Sequence, residues 1–147
     1  MYRKILVATD GSELSTKAVK EAAQLASALH ARLLVLHVRS PVDIPHHVEG
    51  GALSRLGEEK IMDEIKVEEL RLLDAAEHVA ASTGISPEVA FIADYVPHEA
   101  IIRVSREQEC DLIVMGTHIH RGLAAFLFQS ETRKVLTHTL TPVLVVR

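Results

Sequence analysis

Short apolar runs alternate along the chain with stretches whose apolar residues recur every three or four positions. KILVA, residues 4–8, is apolar and β-branched and stops at Thr9-Asp10-Gly11, the pattern of a strand entering a tight loop. Leu14, Ala18, Ala22, Leu25 and Leu29 then share one helical face, with Lys17, Lys20, Glu21 and Gln24 on the other. Ser12 or Ser15 can cap that helix. RLLVLHV, residues 32–38, is apolar almost throughout. Continuous rather than alternating apolarity suits a strand covered on both faces, as in a parallel sheet.

Residues 39–52 hold two prolines and a Gly-Gly pair, and read as an irregular segment long enough to form a flap. A charged helix is predicted from about residue 53 to residue 82, with an apolar stripe of Met62, Ile65, Leu72, Ala76 and Val79, stopped by Thr83-Gly84. EVAFI, residues 88–92, reads as a third strand. Pro97 opens a helix with Ala100, Ile101 and Val104 facing inward. DLIVMG, residues 111–116, is a fourth strand. SETRKVLTHTL, residues 130–140, is a short helix, and PVLVV, residues 142–146, a last strand with Pro142 at its first position.

Strands alternating with helices imply right-handed crossovers and an α/β domain around a central parallel sheet. Such sheets bind ligands beyond the carboxyl ends of their strands. Three segments should meet there: residues 9–15, Val38 onward, and residues 116–130. The 147 residues, 48% of them hydrophobic, suit one domain over residues 1–147 with a sizeable core. A net charge of −4 provides no overall field for nucleic acid or an anionic membrane. No apolar run is of leader or bilayer-spanning length, so a soluble cytoplasmic protein is expected. A single cysteine, Cys110, excludes an internal disulfide framework; at the amino end of a strand it reads as an inert small hydrophobe.

The first loop, ATDGSELS, has neither the glycine spacing of a dinucleotide fingerprint nor the Gly-rich Lys-Ser/Thr phosphate loop. Asp10 stands at a strand's carboxyl end, where its carboxylate can accept from a ribose hydroxyl or an adenine amino group. Equally, Asp10 and Ser12 can simply turn the chain and cap the helix. The last loop, GTHIHRGLAAFLFQS, can offer backbone N–H groups to phosphates, with the Ser130 hydroxyl at a helix start. Glycine matters in such a loop because it permits positive φ and close ligand approach. Gly116 and Gly122 are present, whereas Ile119 and Gln129 stand where glycine would help. Ser130 is also a sufficient N-cap without any ligand, and Arg121 is either a phosphate partner or an exposed solubilising charge. The apolar run 122–128 covers the cleft, meets a partner, or completes the core. His46, His47, His118 and His120 could converge on one mouth, but no carboxylate or cysteine completes a metal-ligand pattern. No metal site is assigned. No G-x-S-x-G elbow or other catalytic constellation is present.

Taken together, ATDGSELS after the first strand, LLVLHV, DLIVMGTH, the glycine-containing linker and the final PVLVVR resemble the universal stress protein family over essentially the whole chain. The resemblance implies an adenine nucleotide alpha hydrolase-like fold: an open five-stranded parallel sheet with helices on both faces. It also implies a homodimer that pairs the final strands, here Val143 to Val146, and a role in stress response without an established catalytic reaction. Nucleotide-binding members look like G-x2-G-x9-G-[ST] after the fourth strand. On this chain the first glycine is Gly116, the second is replaced by Ile119, the third by Gln129, and the hydroxyl survives as Ser130. Asp10 matches the aspartate at the base or ribose, and Val38 the strand end that frames adenine.

The resemblance therefore implies a base-and-ribose half that remains and a phosphate half that is impaired. Loss of one oriented charge-assisted phosphate contact costs on the order of 1.5–3 kcal/mol, roughly tenfold to hundredfold in affinity. The expectation is a dimeric regulatory or interaction module with weak or absent ATP binding. The alternative is a switch that uses ATP, ADP or AMP, with magnesium if a triphosphate binds, and slow hydrolysis remains open. Protein partners are not specified by the sequence; neither nucleic acid nor membrane is expected.

Overall fold

The computed structural model describes residues 1–41, 51–117 and 131–147, with residues 51–54 described by backbone only. In chain order the elements are β1 (Lys4–Ala8), α1 (Glu13–Leu29), β2 (Arg32–Arg39), α2 (Gly51–Ala81), β3 (Glu88–Ala93), α3 (Pro97–Glu107), β4 (Leu112–Gly116), α4 (Glu131–His138) and β5 (Val143–Val146). The strands form one sheet in the order β3-β2-β1-β4-β5, and every neighbouring pair is parallel. The α/β fold is thus an open five-stranded parallel sheet with helices on both faces.

Successive residues of each central strand supply opposite cores. Ile5, Val7, Leu33, Val35, Leu112 and Val114 pack under α1 and α2, against Ala18, Val19, Ala22, Leu73, Ala76 and Ala80. Leu6, Leu34, Leu36, Ile113 and Met115 pack under α3 and α4, against Ile101, Ile102, Val104 and Val135. This double burial accounts for the unbroken apolarity of the central strands. Alanines line the inner face of α1, allowing its backbone to lie close to the sheet.

Several boundaries differ from the sequence pattern by one or two residues. The helix predicted from about residue 53 begins at Gly51. Its buried stripe is Glu69, Leu73, Ala76 and Ala80, while Met62, Ile65, Leu72 and Val79 are only partly covered. Glu69 is tolerated inside because the Arg39 side chain, from the end of β2, pairs with it at 2.5 Å. The helix predicted over residues 130–140 ends at His138; Leu140 is fully exposed. Thr141 precedes Pro142 and is driven toward extended backbone, so the chain leaves the helix ahead of it. Pro142 precedes β5 and accepts the Ile113 N–H at 2.9 Å through its carbonyl, which needs no N–H of its own.

Candidate functional site

The strand order reverses direction between β1 and β4, the switch point where an open α/β sheet leaves a crevice at its carboxyl end. A cleft of about 360 Å³ lies there. Its apolar wall is made by Leu36 and Val38 of β2, Met115 of β4, and Pro97 and Ile101 of α3. Its polar rim carries Thr9, Asp10, Ser12 and Ser15 from the first loop and turn, Thr117 after β4, and Glu131 and Thr132 of α4.

The first loop is fixed by its own hydroxyls. Thr9 N–H donates to the Leu36 carbonyl at 2.9 Å, which continues the β1–β2 pairing by one residue. Thr9 Oγ1 and Ser15 Oγ share a hydrogen bond of 3.0 Å, and Gly11 N–H donates to Thr9 Oγ1 at 3.2 Å. Gly11 has φ +79°, a conformation that glycine adopts without strain. Of the two candidate caps, Ser12 is the N-cap and accepts the Ser15 N–H at 3.2 Å, while Ser15 is buried beneath the loop.

Asp10 is held by its Oδ1, which accepts the Ser12 N–H at 2.9 Å, yet the residue stays exposed on the cleft rim. Burial pushes its carboxyl upward, and hydrogen bonds from Ser12 and Ser15 outweigh that effect, so its pKa lies below the ordinary 3.8. An ionised carboxylate is an acceptor only, suited to ribose hydroxyls or an amino group. The turn-forming and ligand-facing readings of Asp10 are therefore compatible in one geometry.

Gly116 ends β4 beside the start of α1. A Cβ there would lie 3.0 Å from Leu14 Cγ and 3.1 Å from the Leu14 carbonyl oxygen. A side chain here would therefore crowd α1's first turn, and of the two uses the loop chemistry gave a glycine, positive φ is not the one met at Gly116. Thr117 N–H donates to the Val146 carbonyl at 3.0 Å and Thr132 Oγ1 donates to the Gly116 carbonyl at 2.9 Å, so β5 and α4 both anchor the strand's exit.

Glu131 extends the site across to α3. Its Oε2 accepts the His98 backbone N–H at 2.9 Å and lies 3.0 Å from His98 Nδ1; its Oε1 accepts from Lys134 Nζ at 2.7 Å. Burial raises the Glu131 carboxyl, and Lys134 and His98 together bring it below its ordinary 4.5. The ionised oxygen can only accept, so His98 Nδ1 carries the proton.

Of the sequence candidates, Asp10, Val38 and Gly116 meet in this cleft. Ile119, Gln129 and Ser130 lie outside the described residues, as do His46, His47, His118, His120, Arg121 and the run 122–128. Sequence reasoning missed Glu131, Thr132 and Thr117 as rim residues. The signal for them was position: one residue after a strand end, and the first turn of the helix that follows the last loop. Cys110 is buried and at the opposite end of β4; burial raises its thiol pKa, consistent with an unreactive side chain. A second groove of about 280 Å³ lies between α1 and α2, lined in part by Thr16, Arg71, Leu72 and Ala75, and shares Thr9 and Asp10 with the cleft. Among the described residues no helix is long and apolar enough to cross a membrane.

A family model described as the universal stress protein family matches residues 1–147. Universal stress protein YxiE of Bacillus subtilis (strain 168) is 34% identical over 158 residues, covering 100% of both chains. A solved protein of the same family from Burkholderia pseudomallei is 31% identical with a TM-score of 0.71, covering 98% of this chain and 95% of that one. A universal stress protein crystallised in complex with cAMP is 25% identical with a TM-score of 0.74, covering 99% of this chain and 97% of that one. The full-length match, the parallel sheet order and the loop signatures agree, and the chain belongs to the universal stress protein family, with that family's general role in stress response.

Proposed function

We propose that this chain is a stress-response regulatory module whose cleft takes an adenine nucleoside or mononucleotide and holds ATP weakly or not at all. The observation that carries this reading is the juxtaposition of the Asp10 carboxylate with the apolar wall of Leu36, Val38, Ile101 and Met115 at the sheet's switch point. A flat base fits between aliphatic side chains, and a ribose placed at the rim meets an acceptor. The volume, about 360 Å³, is at the lower end of the range for small-ligand sites. The cAMP complex of a relative supports the ligand class. Ile119 and Gln129, standing where the nucleotide-binding pattern has glycines, support the loss of triphosphate fit.

Calorimetric titration with adenosine, AMP and ATP plus magnesium tests this. Adenosine or AMP is expected to saturate the protein and ATP to bind more weakly. Low-micromolar ATP affinity abolished by Asp10→Ala would instead establish an ATP switch. Failure of all three at millimolar concentration would remove nucleotide from the function.

Self-association through β5 is proposed alongside. β5 is an edge of the sheet, and Leu136, Leu140 and Leu144 lie exposed in and around it, an arrangement that a second copy would cover. Leu144→Arg is expected to convert a dimer to a monomer in sedimentation equilibrium. An unchanged mass would place any interface elsewhere.

A further inference from the structure

Glu131 serves two helices. It is the first residue of α4, and its carboxylate accepts the backbone N–H of His98, the second residue of α3. The N-cap of α3, Val96, supplies no side-chain hydrogen bond of its own. The start of α3 turns the positive end of a helix dipole toward the cleft, where Pro97 forms part of the wall, and because Pro97 has no N–H the first one the helix offers is that of His98. A helix start of this kind receives the anionic group of a ligand in many phosphate sites. Here a side chain from α4 already occupies it.

Charge on the cleft wall follows from the same placement. Asp10 and Glu131 both line the cleft, one from the β1 loop and one from α4, and each is held ionised by its donors. Lys134 and His98 partner Glu131 and offset part of its charge, but neither lines the cleft, so Glu131 is the group of the three that a ligand meets there. A ligand phosphate entering from the α4 side meets a carboxylate where an anion-binding site would present only N–H groups.

We infer that Glu131 sets the number of phosphates the cleft accepts: its carboxylate takes the anion position at the start of α3 and repels further negative charge, so a neutral nucleoside or a monophosphate binds ahead of a triphosphate. This inference rests on the adenine-nucleotide reading of the cleft. It is distinct from the Ile119 and Gln129 substitutions, which act through shape and backbone freedom. A charge effect grows with ligand charge and weakens with salt, whereas a steric one does neither.

Titration of adenosine, AMP and ATP, all without metal, into wild-type and Glu131→Gln protein separates the two. Glutamine keeps a carbonyl oxygen for the His98 N–H and removes the charge. Adenosine affinity is expected to change by less than about twofold, AMP affinity to rise about threefold and ATP affinity about tenfold, with the gain shrinking at high salt. Glu131→Asp, which keeps the charge, is expected to show no such gradient. Equal gains for all three ligands, or none for ATP, would overturn the assignment while leaving adenosine binding, and so the adenine reading, in place. Absence of adenosine and AMP binding in folded wild-type and variant proteins would remove the adenine reading and this assignment with it. If Glu131→Gln does not fold, the wild-type protein carries the same test. ATP affinity relative to adenosine should rise with salt, and a fall would mean that the cleft attracts phosphate.

Discussion

Asp10 and Asp111 stand at opposite ends of the same sheet and do different work with the same carboxylate. Asp111, at the amino end, accepts the Arg3 N–H through both oxygens, at 3.0 and 2.9 Å, and the Lys4 N–H at 3.0 Å. Its acceptor capacity is spent on tying the start of β4 to the start of β1. Asp10, at the carboxyl end, accepts one local backbone N–H, from Ser12, and remains exposed on the rim of a cleft. Both carboxyls sit below their ordinary pKa of 3.8, so the shift alone does not distinguish them. What distinguishes them is the reach of the bonds: Asp111 joins residues more than a hundred positions apart, whereas Asp10 closes a turn two residues long. A perturbed carboxylate marks a ligand position only where the fold leaves it facing open space.

Exchanging the two roles by mutation should give opposite phenotypes. Asp10→Ala is expected to lower adenosine or AMP affinity about tenfold to hundredfold, with a melting temperature near wild type, because a charge-assisted ligand contact is lost. Calorimetry and a thermal melt on the same sample check this. If Asp10→Ala binds as wild type does, the contrast between the two ends fails. Gly116→Ala comes next in size. Contact with the Leu14 backbone should lower stability by about 1–3 kcal/mol in urea denaturation, since the carbonyl cannot move aside as a side chain can. A neutral result would show that α1's first turn yields.

Asp111→Asn should reproduce neither effect at the cleft. It is expected to leave nucleotide affinity unchanged and to lower stability by about 1 kcal/mol at neutral pH. Its signature is acid dependence. Burial raises the Asp111 carboxyl, but the Arg3 and Lys4 N–H groups outweigh it, so the folded pKa lies below the unfolded value. Its stabilising contribution is present above the ordinary 3.8 and is lost as pH falls from there through the folded pKa. The variant should therefore show a shallower loss of melting temperature on acidification than wild type. Parallel acid profiles would mean that Asp111 is not the group that titrates there.

The sequence made one end of the sheet far more legible than the other features of the site. Asp10, Val38 and Gly116 could be placed because each sits at the carboxyl end of a strand, and continuous apolarity identified those strands. Glu131 and His98 could not be paired in advance, because their contact depends on how α3 and α4 pack across the second face. The stripe of α2 was read in part: Leu72, Ala76 and Val79 do pack on the core, and Leu73 and Ala80 beside them are buried more deeply. Glu69 gave no sign of burial because its partner, Arg39, comes from another element. Gly116 stands at the cleft without the positive φ that loop chemistry allows a glycine, and its closest constraint, the first turn of α1 at Leu14, could not be read from the sequence.

The most direct test of the cleft's role is a map of amide shifts in the NMR spectrum during titration with AMP, because the cleft and the α1–α2 groove share Thr9 and Asp10 but diverge elsewhere. Saturable shifts at Val38, Thr117 and Thr132, with Thr16, Arg71 and Ala75 unmoved, are the expected result. Shifts confined to Thr16, Arg71 and Ala75 would place the ligand on the opposite face of the sheet and contradict the assignment of the cleft.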